Sequence, residues 1–336
     1  MDEGLYSRPT MIQVEQLSKT YTVLKKKKGS LRRDREYIKA LDHLSFTIGR
    51  GEICGYIGPN GAGKSTTIKI LSGILHPDRN AGSCLVNGRV PWKNRLAHVR
   101  EIGVVFGQRT QLWWDLPASD SFELLADMYQ VPSGQRKERI NRLKDELELH
   151  SFLHMPVRQM SLGQRMRCEL SAALIHNPPL LFLDEPTIGL DAPSKIALRN
   201  FIRWLNREYG TTIILTTHDM DDIEALAGRV LLIGKGRLLF DGSMQALRRE
   251  AGAEKRIVLD LASEPDPHSM RELFRGTELR LLEQNKQRLT LAFNPERLAA
   301  TEALKMAIGN LQVADLAVEG QPVEELIAAL YSRHNI

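Results

Sequence analysis

Long hydrophobic runs are missing from this 336-residue sequence. The longest, such as Leu180-Leu-Phe-Leu183, are strand-sized and far short of the ~18 residues a membrane helix needs. The opening stretch, MDEGLYSRPT, lacks the basic-then-apolar pattern of a secretory signal. Both absences point to a cytosolic protein whose membrane role, if it has one, is peripheral. Cysteine is scarce: Cys54, Cys84 and Cys168 are far apart, odd in number and form no C-x-x-C pair. That argues against a disulfide framework or a zinc site and leaves small buried thiols in a reducing compartment as the expectation. Internal repeats are absent as well. With 42% apolar residues, 26% charged residues, and 4 Trp, 7 Tyr and 9 Phe to fill a core, the composition excludes disorder and collagen-like sequence. Broad positive charge is also lacking. The net charge of +5 traces to residues 23–39, where Lys25, Lys26, Lys27, Lys28, Arg32, Arg33, Arg35 and Lys39 face only Asp34 and Glu36, so the rest of the chain is close to neutral. This describes one basic loop rather than a nucleic-acid-binding face, and no nucleic acid partner is expected.

What is present alternates strand with helix, over a length that suggests about two domains. Residues 11–14 and 40–48 read as strands on either side of the basic stretch. Residues 53–57 form a short apolar strand ending in a glycine-rich turn, and a helix follows over 66–75. Helical spacing covers 119–130 and 133–148, where Ile140, Leu143 and Leu147 recur at i, i+3 and i+7. A helix over 161–176 is stopped by Pro178-Pro179, ahead of a buried strand at 180–183. A helix at 192–208, a strand at 212–216 and a hairpin of 230–233 with 237–240 complete this part. Such alternation implies a largely parallel sheet with ligand at the carboxyl ends of its strands. The character changes near residue 246. Strands at 255–261, 279–283, 288–293 and 313–318, with helices at 268–274 and 296–308, follow the β-α-β-β-α-β order of a ferredoxin-like α+β domain, closed by a helix at 323–331. It carries no catalytic cluster and reads as an accessory or dimerisation domain.

The chemistry lies in the first part. Gly58-Pro59-Asn60-Gly61-Ala62-Gly63-Lys64-Ser65 fits G-x-x-x-x-G-K-[ST], after a strand and opening a helix, which is the context this motif requires. Its glycines turn backbone N–H groups toward phosphate oxygens, and the helix N-terminus, with Thr66 beside it, adds positive potential. Lys64 is placed to reach the β- and γ-phosphates, and the Ser65 hydroxyl to ligate Mg²⁺. A chance glycine-rich turn is the competing reading. Further on, residues 180–185 form an apolar strand delivering two carboxylates. Successive side chains on a strand point opposite ways. Asp184 is thus the candidate Mg²⁺ partner, and Glu185, just past the strand end, the candidate general base facing a water.

Between these motifs lies Met160-Ser161-Leu162-Gly163-Gln164, which resembles the LSGGQ signature of ATP-binding-cassette (ABC) ATPases, with Leu162 replacing the middle glycine. The rest of the family pattern also matches over roughly residues 11–245. Tyr21, which follows Leu-Ser-Lys-Thr, fits the aromatic that stacks on adenine, with Tyr37 as a rival. Gln108 fits the glutamine linking core to helical subdomain, Asp191 in Gly189-Leu-Asp191 the loop that crosses a dimer, and His218 the histidine on the γ-phosphate. The resemblance implies a P-loop NTPase cassette, a RecA-like parallel sheet plus a helical subdomain at about 110–178. Domains are then 1–245 and 246–336. It further implies a head-to-tail dimer, homo- or heteromeric, that holds ATP and Mg²⁺ between Tyr21, the 58–66 loop, Gln108, Asp184, Glu185 and His218 of one chain and Ser161, Gly163, Gln164 and Asp191 of the other.

Two features stand outside these motifs. Trp113 and Trp114 adjoin the glutamine, in the region that in transporters of this family borders the groove for a membrane subunit. They are either anchors for that partner or core residues of the helical subdomain. The basic run 25–35 is a solvated loop, a contact for anionic lipid or a contact for an acidic partner. The expected function is the ATPase subunit of an exporter-like ABC transporter of the ABC-2 type. It would be peripheral on the cytoplasmic side of the plasma membrane and paired with a separate polytopic permease. A soluble ABC ATPase uncoupled from transport and a nucleotide-binding protein without turnover are the alternatives.

Overall fold

The computed structural model describes residues 9–26, 33–107, 109–266, 268, 270, 274 and 276–333. The chain divides into two compact units, Met1–Met244 and Gln245–Ile336. In the first, β1 (Thr10–Lys26) and β2 (Arg33–Gly49) pair antiparallel, and β4 (Ser83–Val86) joins the other side of β1. A second sheet takes the order β5-β6-β7-β3-β8-β9, from β3 (Ile53–Ile57), β5 (Ile102–Phe106), β6 (Leu180–Asp184), β7 (Thr212–Thr216), β8 (Arg229–Gly234) and β9 (Arg237–Gly242). Every neighbour pair in it is parallel except β8 with β9. The parallel strands are apolar on both faces because both faces are covered. The β8–β9 hairpin turns through Lys235 and Gly236, both at positive φ, as a tight primed turn requires.

Around these sheets run α1 (Lys64–Leu71), α2 (Arg95–Val99), α3 (Ala118–Met128), α4 (Ser133–Glu146), α5 (Leu162–Leu174), α6 (Ala192–Tyr209) and α7 (Met220–Leu226). The ends of α6 show why they fall where they do. Asp191 caps its first turn by accepting the Ser194 N–H, Pro193 suits that turn, and Gly210 closes the helix in the left-handed region. Leu198, Phe201, Ile202 and Leu205 form its buried stripe.

In the second unit, α8 (Met244–Ala251), whose first residue closes the first unit, leads to β10 (Lys255–Leu261), β11 (Arg280–Asn285), β12 (Arg288–Phe293), α9 (Ala300–Asn310), β13 (Val313–Gly320) and α10 (Val323–Arg333). The strand order β11-β12-β10-β13, antiparallel throughout, is the ferredoxin-like one. Ile257, Leu259, Leu289, Leu291 and Phe293 pack with Ala303 and Ala307 of α9. The helix expected at 268–274 falls partly outside the described residues, and α9 starts four residues later than the pattern suggested.

The basic run is not one loop. β1 and β2 pair as one long ribbon out to Lys26 opposite Arg33, so Lys25, Lys26 and Arg33, Arg35 and Lys39 belong to strands. The β-branched and aromatic residues Thr20, Tyr21, Thr22, Val23, Tyr37 and Ile38 favour that extension, and the charge run concealed it. Residues 27–32 lie outside the described ones. All three cysteines are free and buried, and burial pushes each thiol up to about 12.

One histidine pins the helical segments to the sheet. His176, just past α5, stacks on Tyr129 with ring centroids 3.8 Å apart, and its Nε2–H donates to the Ile102 carbonyl at 2.9 Å. Burial, with the Arg139 guanidinium adding to it, pushes this imidazole down to about 4. An unfolded chain with an ordinary histidine near 6.5 therefore binds a proton between those values that the folded chain does not. Stability attributed to His176 is present above about pH 6.5 and falls by about 2–3 kcal/mol as pH drops to about 4. His176→Phe is expected to flatten this part of the acid limb, read as unfolding free energy by denaturant titration at several pH values. An acid limb as steep as that of the unmodified chain would remove His176 as its source.

Candidate functional site

Three neighbouring strands, β6, β7 and β3, end side by side and each delivers part of the site. The loop after β3 curls over the start of α1. Gly63 sits at φ 106°, and a Cβ there would meet the Ala40 carbonyl oxygen at 2.6 Å, so only glycine fits. This turn leaves Lys64 as the first residue of α1, earlier than the helix read at 66–75. The Lys64 ammonium is buried and donates to the loop's own carbonyls, Gly58 at 2.6 Å and Pro59 at 3.2 Å. Burial pushes its pKa down while the Glu185 and Asp184 carboxylates pull it up. A phosphate arriving in the loop would offer this ammonium a stronger, charged acceptor than the two carbonyls.

Asp184 closes β6. Its Oδ1 accepts from the Thr216 hydroxyl at 2.5 Å, across the register pair that β6 and β7 make. Glu185 follows at φ 56°, a left-handed conformation that a non-glycine residue adopts at a cost of about 1 kcal/mol. Strand alternation therefore does not aim Glu185, contrary to the expectation. The chain has left the strand, and the turn is held by the Glu185 N–H donating to the Thr216 carbonyl at 2.9 Å. Its Oε1 then lies 2.6 Å from Nε2 of His218, which follows β7. Below this turn is a network that sequence reasoning missed. The fully buried Asp222 on α7 accepts from the Thr187 hydroxyl at 2.6 Å and from the Arg199 Nε at 2.5 Å, bracing residues 185–191 against α6. Thr216 and Asp222 become site residues only through pairing between strands and helices, and the sole local signal was the polar run Thr216-Thr-His-Asp that ends β7.

Tyr21 stands near the same loop, its hydroxyl 3.4 Å from Thr66 Oγ1. The rival Tyr37 pairs with Thr22, one position out of step with Tyr21 opposite Ile38, so the two rings lie on opposite faces of the ribbon. Gln108 lies outside the described residues. Among the described residues no hydrogen bond joins Ser161, Gly163, Gln164 or Asp191 to the loop. Ser161 caps α5 in a reciprocal box: its hydroxyl accepts the Gln164 N–H at 3.3 Å, and Gln164 Oε1 accepts the Ser161 N–H at 2.9 Å. Leu162, the departure from the signature, packs against Gly189, where a Cβ would meet its Cδ2 at 2.8 Å. Trp113 and Trp114 are 40% and 48% exposed, so neither is a core residue of this chain.

The chain as a whole is similar to known proteins. The ABC transporter family model matches residues 41–188. NatA of Bacillus subtilis, an ABC transporter ATP-binding protein, is 31% identical over 66% of this chain and 88% of its own length. The chain belongs to the ABC transporter ATP-binding family. It is an ATP-binding cassette of the ATPase class, with the P-loop NTPase fold. The daunorubicin resistance ATP-binding protein DrrA3 of Streptomyces coeruleorubidus is 35% identical over 65% of this chain and 67% of its own length. A much longer relative, ABC transporter A family member 1 of Dictyostelium discoideum, is 33% identical over 70% of this chain but only 26% of its own length. Among solved structures, the dimeric cassette MJ0796 in a post-hydrolysis state with ADP and Pi superposes with a TM-score of 0.58 at 27% identity, covering 70% of this chain and 99% of that one. No helix among the described residues is long and apolar enough to cross a membrane.

Proposed function

We propose that two such chains, identical or closely related, close head to tail around ATP on the cytoplasmic face of the plasma membrane and drive a separate polytopic permease, most simply an exporter. The observation that carries this reading is the convergence of Lys64, Asp184, Glu185 and His218 at the carboxyl ends of three adjacent strands. The dimeric form of the MJ0796 cassette supports the sandwich, and the resistance protein DrrA3 supports export. In this reading the ring of Tyr21 stacks on adenine and residues 58–66 hold the phosphates through backbone N–H groups. Lys64 exchanges two carbonyls for phosphate oxygens. Glu185 takes the proton of the attacking water, and His218 holds that carboxylate in place while facing the γ-phosphate. Ser161, Gly163 and Gln164 of the other copy close the site from a helix N-terminus, with Asp191 in the loop between copies. The donors beside the loop suit Mg²⁺, since the Ser65 hydroxyl and the Asp184 carboxylate are both hard oxygens, and they would hold it together with Gln108. Bound Mg²⁺ would neutralise charge on the phosphates. The second unit, 246–336, is an accessory domain in this scheme, and the nucleotide chemistry belongs to 1–245.

The exposed tryptophan pair supplies the test. Trp113→Ala with Trp114→Ala is expected to reduce co-purification with the membrane subunit about tenfold, because paired aromatic anchors carry much of an interface's free energy. ATP affinity of the isolated chain, read by calorimetry, is expected to stay the same. Normal recovery of the permease with the double variant would end the coupling role of this surface.

A further inference from the structure

The nucleotide chemistry makes no use of one buried carboxylate in the signature helix. Glu169 lies midway along α5 and is 4% exposed. It accepts from the Thr110 hydroxyl and from the Gln111 backbone N–H at 3.2 Å, while the Gln111 side-chain amide donates back to the Glu169 carbonyl at 3.0 Å. The other buried residues of this stretch of α5, Met166, Cys168, Leu170, Ser171, Ala172 and Ala173, are uncharged. A carboxylate so deeply buried is tolerated because each of its two oxygens accepts from one of these donors.

The bonds continue outward from that point. Thr110 Oγ1 also accepts the Leu112 N–H at 3.1 Å, and the Trp113 N–H donates to the buried Ser121 hydroxyl of α3 at 3.2 Å. One turn before Glu169, on the same face of α5, the Arg165 guanidinium lies 5.7 Å from the Trp114 ring centroid. Residues 110–114 are thus gripped by α5 at two levels. The N-terminal end of that helix is Ser161.

We propose that Glu169 is a positioning residue that locks residues 110–114 to the signature helix, so that engagement of its Ser161 end is delivered to the Trp113–Trp114 surface. What engages Ser161 rests on the ATP-sandwich reading; the lock itself is built from this chain alone. Rigid helices joined by filled hydrogen bonds are the physical means by which two separated sites share one displacement.

Amide hydrogen exchange on the full chain tests it, with Glu185→Gln added so that ATP is retained. In that background ATP with Mg²⁺ is expected to slow exchange in peptides covering 161–166 and to change it in those covering 109–116. With Glu169→Ala added, exchange over 109–116 is expected to rise about tenfold and to stop responding to ATP, while 161–166 still responds. Thr110→Val, which keeps the shape and removes one donor, is expected to weaken the 109–116 response about threefold, and it serves if the Glu169 variant does not fold. An undiminished 109–116 response in either folded variant overturns the lock. Absence of any ATP response at 161–166 overturns the ATP-sandwich reading, and the relay with it.

Discussion

Glu185→Gln is expected to slow steady-state phosphate release by about 10²–10⁴-fold while leaving ATP affinity nearly unchanged. The geometry sets that contrast. Glu185 is held by its backbone, through a left-handed φ of 56° and the N–H bond to the Thr216 carbonyl, so a glutamine inherits the same position. Its side-chain amide still reaches Nε2 of His218, now 2.6 Å from Oε1. What it loses is the capacity to accept a proton. Binding depends instead on the 58–66 loop and on Lys64, neither of which is altered. ATP that binds without turning over should also hold the dimer closed, because the nucleotide is the shared part of the interface. Size-exclusion chromatography with ATP and Mg²⁺ should therefore show a dimer persisting in the variant and dispersing in the unmodified protein. Turnover at the original rate would remove Glu185 as the base, and His218 or a solvent path would have to replace it.

The parts of this site that were legible in the sequence are those that local chain geometry dictates. The phosphate loop could be read because its glycines, lysine and serine are consecutive and must sit between a strand and a helix. The two carboxylates after 180–183 could be read because an apolar strand has to end somewhere, and acids mark the end. The reason for their divergence was not legible: a left-handed turn at Glu185 is imposed by the Thr216 carbonyl, 31 residues away in sequence. The same holds for Asp222, whose partners Thr187 and Arg199 come from different elements. In the fold, long periodic helices such as α6 were visible from their apolar stripe, whereas the short β4 and α2 offer too few residues for any period to show. The ribbon of β1 and β2 escaped because lysine and arginine runs usually mark solvated loops. Here cross-strand pairing continues beneath the charges, with Lys25 reaching Glu36 at 2.5 Å. In the second unit the buried alternation of Ile257, Leu259 and Leu261 announced β10. By contrast β11 and β13, at the sheet edges, are exposed along most of their length, and their ends could not be drawn from hydropathy.

A mixed dimer gives the largest qualitative contrast, inactivity in each parent against recovered activity in the pair. Lys64→Ala removes the only cation of the phosphate loop. Ser161→Arg breaks the capping box of α5 and places a cation and a long side chain at that helix N-terminus, where an anion is expected. Each homodimer then carries the same lesion in both of its sites and should be inactive. In a heterodimer the composite arrangement gathers both lesions into one site. The other site combines Lys64 of the Ser161→Arg chain with Ser161 of the Lys64→Ala chain, and both are intact. Heterodimers isolated through two affinity tags should therefore release phosphate at about half the unmodified rate, and an unfractionated equal mixture at about a quarter, if the two sites turn over independently. Had each chain housed its whole site, both chains of every heterodimer would be defective and no activity would return. If the two sites must fire together, the intact site should still occlude one ATP per heterodimer, which filter binding of labelled nucleotide detects. A verified heterodimer that neither hydrolyses nor occludes ATP would mean that Ser161 does not serve the nucleotide held by the opposite chain. The capping box it forms with Gln164 would then be the whole of its role.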